Sequence, residues 1–235
     1  MSIMRIRRSG DRRAPRAASD RGRPARLSPE ERRRQLLRVA AELMTRRGVD
    51  AVQFGEVAAA AGVTRQLVYR FFSSRQALIM AVLEDFAEDL TQRFGRGAAH
   101  SIPGDLDAVT RVFVEAVCDT IETKGTGPWH VLDSKGPDPE VARLGQDIQG
   151  RLISPWRMRI AETIGASERE AAIVARMIIA AGRAVLELWY TGALTRDEAV
   201  HATTRGVSAL LQAFAKPSKR PARPPRDRPR RRSDR

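Results

Sequence analysis

Apolar residues recur along this chain at spacings of three and four, the period of helices that bury one face. Ser28-Pro29-Glu30-Glu31 has the form of a capping box with proline at the first helical position. It opens a predicted helix to Arg47, with Leu36, Leu37, Val39, Ala40, Leu43 and Met44 as the buried stripe and Gly48 as the stop. Two short helices follow, over 56–61 and 64–71, and Ser73 or Ser74 caps a fourth with Leu78, Val82, Leu83, Phe86 and Leu90 inside. The glycines of 95–104 predict a loop, and 105–122 a helix. Residues 125–139 read as broken chain with one helical turn at 129–132, and 140–164 as a helix that Pro155 kinks or restarts. Capping boxes at Ser167 and Thr195 open the last two helices, through Tyr190 and about Ala215. The expected fold class is all-α: a small N-terminal three-helix domain over 28–75 and a larger helical domain over 76–215.

The second and third helices carry the most specific signal. Gly62 falls where the alanine-rich helix must stop, a place for left-handed backbone angles. Val63 plugs the gap and Thr64 caps the next helix. Two helices joined by a tight glycine turn are the sequence form of a helix-turn-helix, whose second helix enters the DNA major groove. Val68, Phe71 and Phe72 anchor that helix, which turns Arg65, Gln66, Tyr69 and Arg70 outward with donors suited to base edges and phosphates.

At these residues the chain resembles the TetR family of bacterial transcriptional regulators. The resemblance rests on Ala61-Gly62-Val63-Thr64 in the turn, on Tyr69-Arg70-Phe71-Phe72, and on Ser74-Arg75-Gln76-Ala77-Leu78 opening the fourth helix. It is strong from about Leu36 to Leu83, and beyond that rests on helical layout and length. It implies DNA contacts from Thr64, Arg65, Gln66, Leu67, Tyr69, Arg70 and Arg75, with Tyr69 and Arg75 on phosphates and Arg65 and Gln66 on base edges. It also implies a homodimer on a palindromic operator, its last two helices paired with their mates in a four-helix interface. The fourth helix then links the DNA domain to a ligand-binding and dimerisation domain, and most relatives are repressors. Arg75 stands where the family usually has lysine, and Gln53 and Gly55 replace a capping Ser/Thr and a polar residue, so the second helix is expected to start with a weaker cap.

Charge distribution supports this reading. The formal net charge is +14 over 235 residues. Residues 1–27 carry nine arginines against two aspartates, and 216–235 ten Lys/Arg against two aspartates, so the tails account for +15. Within the remainder, 28–75 is +4 and 76–215 is −5. Both tails are rich in Arg, Pro and Ser without apolar periodicity and are expected to be disordered, a basic arm and a basic tail attracted to any DNA. A single Cys118, with no partner for a disulfide, fits a reducing cytoplasm and a buried apolar role. No apolar run approaches the roughly 20 residues that span a bilayer.

No catalytic constellation stands out: His100, His130 and His201 are far apart, without metal-ligand spacing, and no phosphate loop or nucleophile elbow is present. No enzyme activity, metal or cofactor is expected. The wide apolar arc of the eighth helix predicts contact with its own domain and with a partner. A cavity between helices is expected to draw its wall from Phe113, Val117, Trp129, Trp156, Met177 and Trp189, with His130 as a polar candidate. Arg183 reads as a surface ion pair with Glu187. Two readings remain: a ligand-responsive DNA-binding regulator, bound to a small amphipathic effector, or an architectural protein that coats nucleic acid with its tails and has no switch. Deleting 1–27 and 216–235 should slow association and make the salt dependence of DNA binding shallower, measured by anisotropy titrations across salt. An unaltered slope would show that the tails do not touch DNA.

Overall fold

The computed structural model describes residues 27–98, 105–133 and 138–215; the expected basic arm and tail, and His100, lie outside the described residues, apart from Leu27 at the arm's edge. In chain order the helices are α1 (Pro29–Arg47), α2 (Phe54–Ala61), α3 (Arg65–Phe71), α4 (Arg75–Ala98), α5 (Leu106–Lys124), α6 (Thr126–Asp133), α7 (Pro139–Ile164), α8 (Glu168–Tyr190) and α9 (Arg196–Phe214), with a 3-10 turn at Val49–Ala51. No strand occurs among the described residues. All three capping boxes form: the hydroxyls of Ser28, Ser167 and Thr195 accept from the backbone three residues on, and Glu31, Glu170 and Glu198 reach back. These hydrogen bonds hold the Glu31 and Glu198 carboxyls below their ordinary pKa. Ser74, rather than Ser73, caps α4, its Oγ accepting from Ala77 N at 3.0 Å.

Three local expectations are corrected. Residues 95–98 are the last turn of α4 instead of a loop. A β-carbon at Gly97 would stand 2.4 Å from Val112 Cγ1, so the missing side chain lets this turn lie against α5. Residues 126–133 form a full eight-residue helix rather than one turn. Pro128 falls in its first turn, where no intrahelical N–H is required. The third concerns α7, which continues through position 155 as one element instead of restarting there. Ile148, Leu152, Trp156, Ile160 and Ile164 recur every four residues on one face and pack into the core along its length.

The main hydrophobic cluster runs without a break from α1, α2 and α3 through α4 into α5, α6 and α7. A second cluster joins the C-terminal half of α7 to α8 and α9. α4, about 36 Å long at 1.5 Å per residue, threads both halves. α6 touches α1 at a joint built from small residues. Gly127 N donates to Thr45 Oγ1 at 2.9 Å, and that hydroxyl donates to Ala41 O at 2.9 Å. A β-carbon on Gly127 would meet Thr45 N at 2.5 Å and Met44 C at 2.7 Å, and one on Gly125 would meet Thr45 Oγ1 at 2.4 Å.

Because the atoms facing Gly127 are backbone, they cannot turn aside. Gly127→Ala should therefore destabilise the protein by about 1–3 kcal/mol, as overpacking does. Gly150→Ala, on an open face of α7, should instead stabilise it by about 0.5–1 kcal/mol. Thermal melts of the two variants check the pair, and equal shifts would mean that the α1–α6 joint yields freely.

Candidate nucleic-acid interface and ligand cavity

The turn between α2 and α3 is built as its residues require. Gly62 adopts φ 66° and ψ 35°, the left-handed conformation. Val63 N then donates to Ala58 O at 2.9 Å, closing α2 as a Schellman motif. Gln35 of α1 adds an amide donor to Ala61 O at 3.2 Å. At the other end α2 has no side-chain cap at Gln53, as its sequence predicts. Thr64 Oγ1 accepts from Leu67 N at 3.3 Å and starts α3.

Val68 and Phe72 are buried and Phe71 is half-buried against the core, and together they fix the rotation of α3. Arg65, Gln66, Tyr69 and Arg70 consequently share the exposed face, Thr64 stands at its edge and Leu67 is half-buried. Tyr69 is held edge-on against Phe54, with ring centroids 4.6 Å apart, and its hydroxyl accepts from Arg65 Nη2 at 3.1 Å. α3 bears no acid, so its outer face is an electropositive donor surface set by rigid packing beneath.

Arg75 sits differently from the phosphate contact expected of it. Its Nε donates to Val52 O at 2.9 Å and its Nη2 to Val49 O at 2.8 Å, with Asp50 Oδ1 at 3.4 Å. The guanidinium fork closes the turn between α1 and α2 onto the start of α4. Lysine, with its donors on a single nitrogen, has no such two-nitrogen fork.

Between α4, α5, α6, α7, α8 and α9 lies a cavity of about 150 Å³. Phe113, Val117, Trp129 and Trp156 of the expected set line it. Phe94, Phe113 and Trp156 form an aromatic triangle, each pair of ring centroids 5.5–5.6 Å apart. The other three expected residues lie off the wall. His130 is exposed on α6, its ring edge-on to Tyr190 at 5.3 Å. Met177 is exposed on the outer side of α8, and Trp189 is half-buried against the main core. α8 points Ala175, Ile178, Ile179, Gly182, Arg183 and Leu186 into the cavity, and Met177 sits about 100° around the helix from Ile178.

Leu90, Thr110, Arg183 and Thr203 also line the wall, and the sequence reading placed none of them there. Arg183, read as a surface residue, lies with its guanidinium carbon 5.2 Å over the Trp129 ring. In sequence it lies about 100° around the helix from Gly182, at the flank of the stripe 175, 178, 182, 186, so the helical period did not place it on the wall. Cys118 is buried, and desolvation pushes its thiol up to about 11. No group of metal-ligating side chains and no helix long and apolar enough to cross a membrane occurs among the described residues.

Residues 36–82 match the family described as bacterial regulatory proteins, tetR family. The HTH-type transcriptional activator FasR of Mycolicibacterium smegmatis is 37% identical over 102 residues, 43% of this chain and 46% of that protein. The chain thus spans less than half the length of the curated relative it matches. Among solved structures, a TetR-like transcriptional regulator from Rhodococcus sp. RHA1 superposes with a TM-score of 0.64 at 19% identity, over 80% of this chain and 97% of that one. A TetR-family transcriptional regulator from Streptomyces coelicolor gives 0.61 at 26% identity, over 80% and 84%. LfrR from Mycobacterium smegmatis gives 0.55 at 24%, over 76% and 95%.

Removing the Arg75 fork leaves two carbonyls of a tight turn without their charged donor. Arg75→Ala should lower unfolding free energy by about 1–3 kcal/mol, read from urea denaturation. A wild-type midpoint in that variant would show the clamp to be idle and return Arg75 to the surface role its position suggests.

Proposed function

Because the chain belongs to the tetR family of bacterial regulatory proteins, we propose that it is a homodimeric transcriptional regulator that reads a palindromic DNA site and releases it on binding a small, mostly apolar ligand. The observation that carries this reading is the uninterrupted core between two unlike surfaces. At one end α3 presents Arg65, Gln66, Tyr69 and Arg70. At the other an apolar cavity is walled partly by α4 and α6, the helices that hold α1.

Two copies supply the second half-site. α8 leaves Ile173, Met177 and Leu188 exposed, and α9 leaves Phe214 exposed, an apolar face suited to an identical face on a partner. A dimer on B-DNA holds its recognition helices about 34–36 Å apart or a multiple of that. A ligand that fills the cavity in one spacing better than in the other shifts the pair by that difference in affinity and no more. The fold relative LfrR was crystallised in complex with proflavine, in keeping with a ligand-taking role for this fold. Whether release turns a gene on or off depends on where the site lies relative to the promoter; the repressor sign is the simpler case, and FasR carries the name of an activator.

The test begins with selection of a preferred duplex from random DNA. Gln66→Ala should then narrow discrimination against single-base variants by about 1–3 kcal/mol, while Tyr69→Phe weakens all sequences alike. A ligand that quenches Trp129 and Trp156 emission should bind more weakly in the presence of the selected duplex, by the same factor by which it weakens DNA binding. Equal ligand affinity with and without that duplex would rule out the switch, and binding indifferent to sequence would favour the coating role instead.

A further inference from the structure

We infer that the cavity takes an uncharged aromatic hydrocarbon of about one ring, such as toluene, and offers no seat for a polar or charged head group. This rests on the cavity being a ligand site, and adds the chemical class of the ligand. Polar residues occur in the wall, yet they give the open space almost no polar surface. Thr203 of α9 is buried, and its Oγ1 is sealed off without a hydrogen-bond partner. Gln149 commits its amide N–H to Leu132 O at 2.6 Å, closing the end of α6. Arg183 is already partnered, its guanidinium carbon 5.2 Å over the Trp129 ring. What faces the space is aliphatic and aromatic, with Leu90, Phe113, Trp156, Ile178 and Leu211 each contributed by a different helix.

A ligand entering such a space leaves its water behind and meets no donor or acceptor. An ionised group loses its hydration there without gaining an opposite charge, and a hydroxyl is left unpaired; both are unfavourable. A hydrocarbon has no such group to desolvate. An apolar cavity of this kind stays dry, so its wall atoms lack contact partners on the inner side. A guest supplies those contacts without displacing bound water. Only the apolar part of the amphipathic effector expected from the sequence therefore has a place here.

Volume sets the size of the guest, because a dry cavity of about 150 Å³ accommodates a benzene ring. The wall favours an aromatic ring over a saturated one. Phe113 and Trp156 both line the cavity and stand edge to face, with centroids 5.5 Å apart and ring planes at 72°. Trp129 completes the aromatic part of the wall. A planar guest extends that edge-to-face set, gaining contacts beyond its area burial that a saturated ring of the same size lacks.

The probes are toluene, benzene, cyclohexane, phenol, benzoate and benzylammonium, titrated calorimetrically into the full chain at neutral pH. Toluene should bind roughly tenfold more tightly than phenol, its isostere with a hydroxyl in place of the methyl. Benzoate and benzylammonium should not bind at the same concentrations. Benzene should bind at least as tightly as cyclohexane, although cyclohexane is the more hydrophobic of the two. Thr203→Val, which replaces the sealed hydroxyl with a methyl, should leave the affinities for toluene and phenol unchanged. Ala175→Leu, which adds three carbons to the wall, should weaken toluene at least about tenfold. Intermolecular NOEs from toluene to the ring protons of Trp129 and Trp156 locate the site in the wild-type chain, whether or not that variant folds. Phenol, benzoate or benzylammonium binding as tightly as toluene, or phenol weakening in Thr203→Val, overturns the hydrocarbon assignment and leaves the cavity as a site for polar ligands. Cyclohexane binding more tightly than benzene overturns its aromatic part, and NOEs to neither tryptophan overturn the location. If no probe binds at millimolar concentration, the cavity is plain core and the ligand reading falls with the assignment.

Discussion

The burial of one stripe of α4 is the constraint on which the rest of the molecule depends. Leu78, Ile79, Val82, Leu83, Phe86 and Leu90 are each at most 2% exposed, and each such side chain contributes about 1.5–3 kcal/mol relative to exposure. The ion pairs that decorate the same helix, Lys124 with Asp85 and Arg151 with Glu84, are partly exposed and contribute on the order of 0–1 kcal/mol apiece. Apolar packing therefore decides where α4 lies. Since the stripe faces α1 at one end and the cavity at the other, the main core is shared by the two halves of the chain, and only the α7–α9 cluster belongs to the second half alone.

Much of this was legible from the sequence, for local reasons. Gly62, Thr64 and the three capping boxes act within a few residues of themselves, so their chemistry is the same in the chain and in the fold. The exposed set on α3 follows from Val68 and Phe72 by helical period alone. What failed to show was set by neighbours distant in sequence. Gly95 and Gly97 read as a loop until Val112 is known to lie where a side chain on Gly97 would be. Arg75 reads as a DNA contact until the carbonyls of Val49 and Val52 are seen beside it.

α8 shows the limit most clearly. It is apolar around most of its circumference, because its inner face walls the cavity and its outer face leaves Ile173, Met177 and Leu188 bare. Composition then gives no rotation angle: the expected wall residue Met177 falls on the exposed side, and Trp189, on the inner side, packs into the main core beyond the cavity. Arg183 stands at the flank of the inner face, its guanidinium over the Trp129 ring, a contact set by a helix distant in sequence. His130 was misplaced for a similar reason: adjacency to Trp129 in sequence sets the two side chains about 100° apart on a helix.

The joint between Thr45 and the glycines at 125 and 127 bears on how far this architecture is modular. A helix-turn-helix unit exchanged between two proteins of one fold carries its α1 along, but the recess that receives α1 belongs to the acceptor's α6. Here the recess is made by absent side chains, and its hydroxyl key comes from the other half of the chain. A chimera that imports residues 28–75 into a scaffold with alanine at the Gly127 position seats its α1 only with the strain of an overpacked joint. Conversely, the two glycines are the minimal graft that makes a foreign α6 a receptive socket for this α1.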